Sequence, residues 1–174
     1  KVNNVLNSLS MDHADFKIEL LEDNFINYNG TDQINLLISV NNSLKYFPLH
    51  KFSSGGELSR IALAMKYVST SFNSISTIIF DEIDSGISGK VASEVGSLLK
   101  EISCSSQVIN ITHLPQVAAI AKHHIYVNKS EVAGVMETSI NYLSREDRVQ
   151  VLAKMLGGDK TGKAALNNAI ELLN

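Results

Sequence analysis

Two short apolar runs, separated by an amphipathic stretch, constrain the fold of this chain more than any other feature. The runs are Thr77–Phe80 and Gln107–Ile111. Between them, apolar residues recur at helical spacing, at Val91, Val95, Leu98, Leu99 and Ile102. A helix can carry the chain back across a sheet so that the two strands lie parallel, and uninterrupted apolar runs are typical of strands in such sheets. We therefore predict an α/β fold whose buried parallel strands are joined by crossover helices.

The amino-terminal side has the pattern of antiparallel strands. Apolar residues alternate with mostly polar ones in Phe16–Leu21 and again in Ile34–Val40, which predicts two half-buried strands. The polar residues Asn41–Ser43 are expected to turn the chain after the second strand. A helix is then predicted from Leu58 to Phe72, because apolar residues recur there every three or four positions.

The carboxyl-terminal side predicts one more strand pair and two helices. The strands are Ile125–Asn128 and Val135–Leu143, with a turn at Ala133-Gly134. One helix is expected to start at the capping box Ser144–Asp147 and the other at Thr161.

Composition excludes some classes of protein. The 174 residues are 44% hydrophobic, enough for one ordinary core, and no apolar run approaches the roughly 20 residues of a membrane-spanning helix. A net charge of −3 gives no basic footprint for nucleic acid. The single cysteine, Cys104, has no partner at metal-ligand spacing and is expected to be a buried thiol. We expect a cytoplasmic protein without a membrane segment.

The first chemically suggestive feature is a pair of carboxylates at the end of an apolar strand. Asp81 and Glu82 directly follow Ile78–Phe80, at the edge of a parallel sheet where ligands bind. Asp81 is suited to hold Mg²⁺ on a nucleotide's phosphates, and Glu82 could orient and deprotonate an attacking water. The alternative is that the strand simply ends in solvated acids.

A glycine pair precedes the predicted Leu58–Phe72 helix. Ser54, Gly55, Gly56 and Glu57 would let a phosphate approach backbone amides at the positive end of the helix. The same residues also fit a capping box, in which serine and glutamate satisfy amides of the first turn. Capping does not explain two consecutive glycines, each of which costs a helix up to about 1 kcal/mol relative to alanine.

His113 follows the second apolar run, so parallel pairing would place it on the same edge as Glu82. It could then sense or polarise a terminal phosphate, or it could be an ordinary loop histidine.

The segment Gly157–Ala164 has the spacing of a phosphate-binding loop, but Ala164 stands where the Mg²⁺-binding serine or threonine is needed. The residues before it are spaced as a helix rather than as a strand. We interpret it as a connection between two helices.

Taken in order, Ser54–Glu57, Asp81-Glu82 and Thr112-His113 resemble the signature, Walker B and switch-histidine elements of ABC-type ATPases. Longer strings, Ser53–Ala64, Phe80–Gly89 and Thr112–Ala118, resemble the RecN family, bacterial SMC-like DNA repair ATPases. The resemblance runs from about Met11 to the carboxyl terminus. It departs from the wider ABC pattern at Ser88, where many relatives have aspartate, and at Ser53, where many have leucine.

The resemblance implies the carboxyl-terminal lobe of an ABC/SMC-type head, with residues 13–174 forming the lobe and residues 1–12 remaining from a preceding coiled coil. ATP and Mg²⁺ would lie between two heads. Asp81, Glu82 and His113 would serve the nucleotide of their own head, and Ser54, Gly55, Gly56 and Glu57 that of the opposite head. A D-loop with Asp84 and Ser88 would join the nucleotide-binding residues.

The implied partners are the amino-terminal lobe, a second head and, from the family alone, DNA at the bacterial nucleoid during double-strand break repair and recombination. Without the phosphate loop of the missing lobe, the chain alone is expected to be inactive. Two alternatives stay open: the head of another SMC-like ATPase, or a non-catalytic dimerisation or scaffold module.

Overall fold

Strands and helices sort into two units in the computed structural model of the chain. It describes residues 1–28, 30–40, 45–70, 72, 75–132, 134–158 and 161–174. Unit 1 contains Lys1–Ser76 and Ile83–Ile87, and unit 2 contains Thr77–Glu82 and Ser88–Asn174. The described residues thus form two compact units. The boundary at residue 12 and the preceding coiled coil stay predictions.

Among its described residues, unit 1 combines two helices with a three-stranded antiparallel sheet in the order β1-β2-β3. Its elements are α1 (Val2–Ser8), β1 (Asp15–Asn27), β2 (Gly30–Ser39), β3 (Phe47–Pro48), a short 3₁₀ turn (Leu49–Lys51) and α2 (Gly55–Thr70). The predicted pairing of the first two strands is confirmed, with Phe16 opposite Ile38. The predicted turn at Asn41–Ser43 lies outside the described residues.

Burial along the β1–β2 hairpin is uneven. Phe16 and Ile38 are buried, but the same face exposes Ile18, Leu20 and Ile34 at 57%, 66% and 63%. Half-burial is therefore confirmed at one end of the hairpin only. The alternating pattern identified the apolar face, but it could not show how far along the strands the core of unit 1 extends.

The first residues are packed within unit 1. Leu6 and Leu9 are fully buried in unit 1. The side-chain oxygen of Asn3 accepts a hydrogen bond from the backbone amide of Phe16 at 2.9 Å, which ties α1 to β1. Asn3 therefore makes a local structural contact within unit 1.

Unit 2 contains a parallel strand pair, an antiparallel strand pair and four helices among its described residues. They are β4 (Thr77–Asp81), α3 (Gly89–Ile102), β5 (Gln107–Ile111), α4 (Pro115–Ile120), β6 (Ile125–Val132), β7 (Val135–Tyr142), α5 (Arg145–Gly157) and α6 (Lys163–Leu172). The predicted parallel pairing of β4 and β5 is confirmed, as is the antiparallel pairing of β6 and β7. Of the turn predicted at Ala133-Gly134, Ala133 lies outside the described residues.

The two faces of the β4–β5 pair differ in burial. Ile78 and Phe80 are buried on one face, while Ile79, Ile109 and Ile111 are 64%, 45% and 53% exposed on the other. Burial of the parallel strands is thus confirmed for one face. The exposed face has the apolar composition of a surface that other polypeptide covers.

The carboxyl-terminal helices form their own small core. Ala118, Ala119, Leu152, Ala153 and Ala169 pack together, and the fully buried Leu152 contributes about 1.5–3 kcal/mol by leaving water. The predicted capping box is confirmed: the Ser144 hydroxyl accepts from the Asp147 amide at 3.1 Å, and the Ser144 amide donates to Asp147 Oδ2 at 3.4 Å.

One sequence-based expectation in unit 2 is wrong. Cys104 is exposed rather than buried, because it lies in the turn after α3, and its thiol faces the carbonyl of Lys100 at 3.6 Å. No helix in the described part of the chain is long and apolar enough to cross a membrane.

Candidate functional site

The carboxyl edge of the β4–β5 pair brings the two candidate acids and the candidate histidine to one place. Asp81 is paired with Ile111 across the sheet, and the Glu82 amide donates to the Ile111 carbonyl at 3.2 Å. His113 follows two residues after Ile111. We call Asp81, Glu82 and His113 the catalytic edge, after the role that the sequence predicts for them.

Glu82 has an unusual backbone conformation. Its φ of +49° lies in the left-handed region, which costs a non-glycine residue about 1–2 kcal/mol. Strain of this kind concentrates at functional sites. Asp81, Glu82 and His113 are not buried, so their side chains are accessible to water and to a ligand.

The turn that carries His113 is fixed by its neighbours. The Thr112 hydroxyl oxygen accepts from the Leu114 amide at 2.9 Å, which closes a small side-chain turn around the histidine. Pro115 then begins α4, as its restricted φ predicts. The sequence did not lead us to predict that Thr112 closes this turn, although a threonine two residues before a helix N-cap is a recognisable turn signal.

The glycine pair lies inside the first turn of α2, three residues earlier than the predicted helix start at Leu58. The Leu58 amide donates to the Ser54 carbonyl at 2.9 Å, which continues the helix back to Ser54. The amides of Gly55, Gly56 and Glu57 therefore belong to the first turn, where no helical carbonyl precedes them. Together with the exposed Ser54, they offer donors to an anion. We call Ser54–Glu57 the signature turn.

The two glycines have different local explanations. A Cβ added to Gly56 would lie 2.8 Å from the carbonyl oxygen of Ser85, so α2 approaches the 83–87 segment too closely for any side chain. A Cβ on Gly55 would meet nothing within 4 Å. Packing within unit 1 thus accounts for Gly56 but leaves Gly55 unexplained.

The segment after Glu82 is anchored by its own side chains. Asp84 is fully buried in unit 1, beside the buried Ile83 and Ile87, which favours a structural part for its carboxylate. Ser88, in unit 2, is exposed and stands at the N-cap of α3 without a side-chain capping bond. Nucleotide-contact roles for Asp84 and Ser88 stay predictions.

The apparent phosphate loop at Gly157–Ala164 follows a helix, as predicted. Gly157 is the last residue of α5, and Gly158 leaves the helix with a φ of +68°. Asp159 and Lys160 lie outside the described residues. A helix end leading to α6 does not have the strand-to-helix geometry of a phosphate loop.

The donor chemistry of the catalytic edge fits Mg²⁺. Proteins hold this ion with one or two carboxylates while water and substrate phosphates complete its coordination, and the exposed carboxylate of Asp81 can be such a ligand. Among the described residues, no cluster of three or more histidine, cysteine or acidic side chains could hold a metal on its own. An ion at this edge would therefore depend on phosphate oxygens.

The structure thus assembles two groups from the candidate residues. The catalytic edge belongs to unit 2, and the signature turn belongs to unit 1.

Bacterial proteins match almost the whole chain. It is 42% identical over 99% of its length to a protein of Haemophilus influenzae named DNA repair protein RecN, and 40% identical over 99% to the protein of that name in Vibrio cholerae. The chain is therefore similar to RecN over almost its whole length. It spans about a third of each of those relatives, 31% of their length. No protein-family profile matches it.

Solved SMC head domains share the fold of this chain. One, from work on the "ATP-driven dimerization and DNA stimulated activation of SMC ATPases", aligns with 91% of this chain and 90% of its own at a TM-score of 0.61 and 23% identity. The Smc head domain of Pyrococcus yayanosii aligns with 88% of this chain and 28% of its own at a TM-score of 0.68 and 22% identity. At these identities the likeness establishes the α/β head fold.

Proposed function

We propose that this chain is the carboxyl-terminal lobe of an ATP-hydrolysing head that acts in DNA double-strand break repair and recombination. Its similarity to RecN supports the repair role, since those relatives are named DNA repair proteins. The likeness to SMC heads supports the ATPase role, since one of those heads is described as undergoing ATP-driven dimerization as an SMC ATPase. Identity of about 40% to RecN, against 22–25% to SMC heads, favours RecN over another SMC-like head.

The observation that carries the proposal is the parallel pairing that places Asp81, Glu82 and His113 at one sheet edge. Asp81 would bind the Mg²⁺ that neutralises phosphate charge. Glu82 would orient and deprotonate the attacking water, and His113 would contact the terminal phosphate. Their accessibility leaves room for a nucleotide.

The signature turn would act on the nucleotide of a second head. Its first-turn amides and the Ser54 hydroxyl would donate to the terminal phosphate, and the open space at Gly55 would admit that phosphate to the backbone. The reaction therefore requires two copies of the head, and engagement would depend on ATP.

The missing partner in each head would be an amino-terminal lobe with the phosphate-binding loop. The exposed apolar face formed by Ile79, Ile109 and Ile111 supports such a lobe, because these side chains would otherwise stay exposed to water. We expect calorimetry to detect no tight ATP binding by this chain alone.

Replacing Glu82 tests the proposal in the complete gene product that contains this chain. Glu82→Gln keeps the shape of the side chain but removes the base, so steady-state phosphate release should fall at least about 100-fold. ATP-dependent dimerisation, followed by sedimentation velocity, should persist. Glu131→Gln, at an exposed carboxylate on β6, is the matched control and should hydrolyse ATP at the parent rate.

Normal hydrolysis by Glu82→Gln would remove the base assignment. A complete gene product that dimerises but never hydrolyses ATP would instead support the non-catalytic scaffold.

A further inference from the structure

A basic depression lies on unit 2, and none of the residues assigned above lines it. It encloses about 330 Å³ and is lined by four side chains that are or can become cationic, Lys122, His123, Arg145 and Arg148. Tyr142 also contributes to its wall, and none of its described lining residues is acidic. Such a local cluster of positive charge stands out on a chain whose net charge is −3.

The fold holds this cluster in place. The guanidinium of Arg148, on α5, donates to the carbonyls of Ala119 and Ala121 at 3.0 and 2.7 Å, where α4 ends. Arg145 lies three residues earlier on the same helix, so both arginines share one face. Arg145 is itself oriented by a 3.1 Å hydrogen bond to Asn174 Oδ1. The two arginines of the depression are therefore helix-borne side chains that hydrogen bonds hold in place.

The charges in the cluster repel one another. Burial lowers the pKa of the Arg148 guanidinium, and the neighbouring positive charge of Arg145 lowers it further. Burial likewise lowers the pKa of His124, with Arg148 adding to the effect. Glu146 and Asp147, the acids next in sequence, do not line the depression, and Asp147 is held in the capping box of α5. A bound anion would relieve this repulsion.

We propose that this depression binds the phosphodiester backbone of a nucleic acid. Lys122 and Arg145 would contact the phosphates, while Arg148 adds charge from its anchored position. Tyr142 is 68% exposed, and its ring lies edge-on to the His123 ring with 5.9 Å between the ring centroids. This pair provides an aromatic surface for a base. The proposal deepens the proposed function, on which the choice of nucleic acid as ligand rests, by naming a surface for DNA.

The test is charge reversal of Lys122 and Arg145 in the complete gene product. The variant Lys122→Glu/Arg145→Glu should bind a fluorescent single-stranded oligonucleotide of about 30 nucleotides at least about tenfold more weakly at about 100 mM salt, and the salt dependence of log K should lose about 0.7 per lost phosphate contact. An acid at position 145, in the first turn of α5, suits the helix dipole, so the helix should still form. Circular dichroism checks this.

Lys100→Glu/Lys129→Glu is the matched control, since it makes the same charge change at exposed lysines outside the depression. Equal weakening in both double variants, or no weakening in either, would overturn the proposal. Calorimetry with inorganic phosphate separates the sources of the anion. Phosphate binding that is lost in Lys122→Glu/Arg145→Glu, with unchanged oligonucleotide affinity, would make the depression a small-anion site and overturn it as well.

ATP hydrolysis measured without DNA keeps this proposal separate from the proposed function. Both double variants should hydrolyse ATP at the parent rate. A parent protein that binds the oligonucleotide through this depression but does not hydrolyse ATP would overturn the ATPase proposal and leave the phosphodiester site standing.

Discussion

The catalytic edge and the signature turn are proposed to act on the same nucleotide chemistry, yet they are constrained in different ways. At the catalytic edge, strand pairing sets the backbone, and the side chains of Asp81 and Glu82 extend into solvent. At the signature turn, Gly56 is required by the nearness of the Ser85 carbonyl. The side chains of the catalytic edge are therefore constrained by their proposed chemistry, whereas Gly56 of the signature turn is constrained by the space beside Ser85.

Ser54→Arg should have the largest effect and should distinguish the signature turn from the catalytic edge. A long cationic side chain at the start of α2 would obstruct an approaching second head, so ATP hydrolysis by the complete gene product should fall at least about 100-fold. Nucleotide affinity should be unchanged in a titration, because the binding residues of the same head are intact. Sedimentation with ATP should show no dimer, in contrast to Glu82→Gln.

Ser93→Arg, at an exposed serine of α3, is the matched control and should neither lower hydrolysis nor prevent dimerisation. If Ser54→Arg still dimerised with ATP, the signature turn would not lie at the interface between heads.

The glycine pair sharpens the spatial part of the comparison. Gly56→Ala should destabilise α2 by about 1–3 kcal/mol, because its Cβ would press against a backbone oxygen that cannot swing away. Gly55→Ala has open space and should stabilise the helix by up to about 1 kcal/mol. Hydrogen exchange of the α2 amides, with α5 as the internal reference, measures both changes.

If Gly55→Ala also slows ATP hydrolysis while it stabilises α2, the glycine serves the approach of a ligand rather than the fold. Equal destabilisation by both alanines would contradict the different surroundings of the two positions.

The smallest predicted effect concerns the backbone of the catalytic edge. Glu82→Gly should be about 1 kcal/mol more stable than Glu82→Ala, because glycine adopts the +49° φ of this position without strain. Exchange of the β4 and β5 amides provides the measurement. Both variants lack the base and should be equally inactive. An alanine variant as stable as the glycine variant would show that the left-handed conformation of residue 82 carries no cost in stability.

Sequence patterns predicted the elements of this chain better than they predicted their surroundings. The pairing of β4 with β5 followed from two apolar runs around an amphipathic helix, and the Ser144–Asp147 capping box followed from local hydrogen-bonding chemistry. Cys104 was expected inside because free thiols are commonly buried, but its turn lies at the surface. The exposure of Ile79 could not be predicted either, because an apolar run does not show which face of the strand the rest of the chain covers.

The candidate site divides in the same manner. Residue identity and order alone singled out Asp81, Glu82, His113 and Ser54–Glu57, because carboxylates after a strand and glycines at a helix start are local signals. Only the tertiary structure showed that Glu82 pairs with Ile111 and that Asp84 is buried. It also showed that Gly56 is crowded while Gly55 has open space. Periodicity and capping depend on neighbours within a few residues, whereas burial and close approach depend on segments far away along the chain.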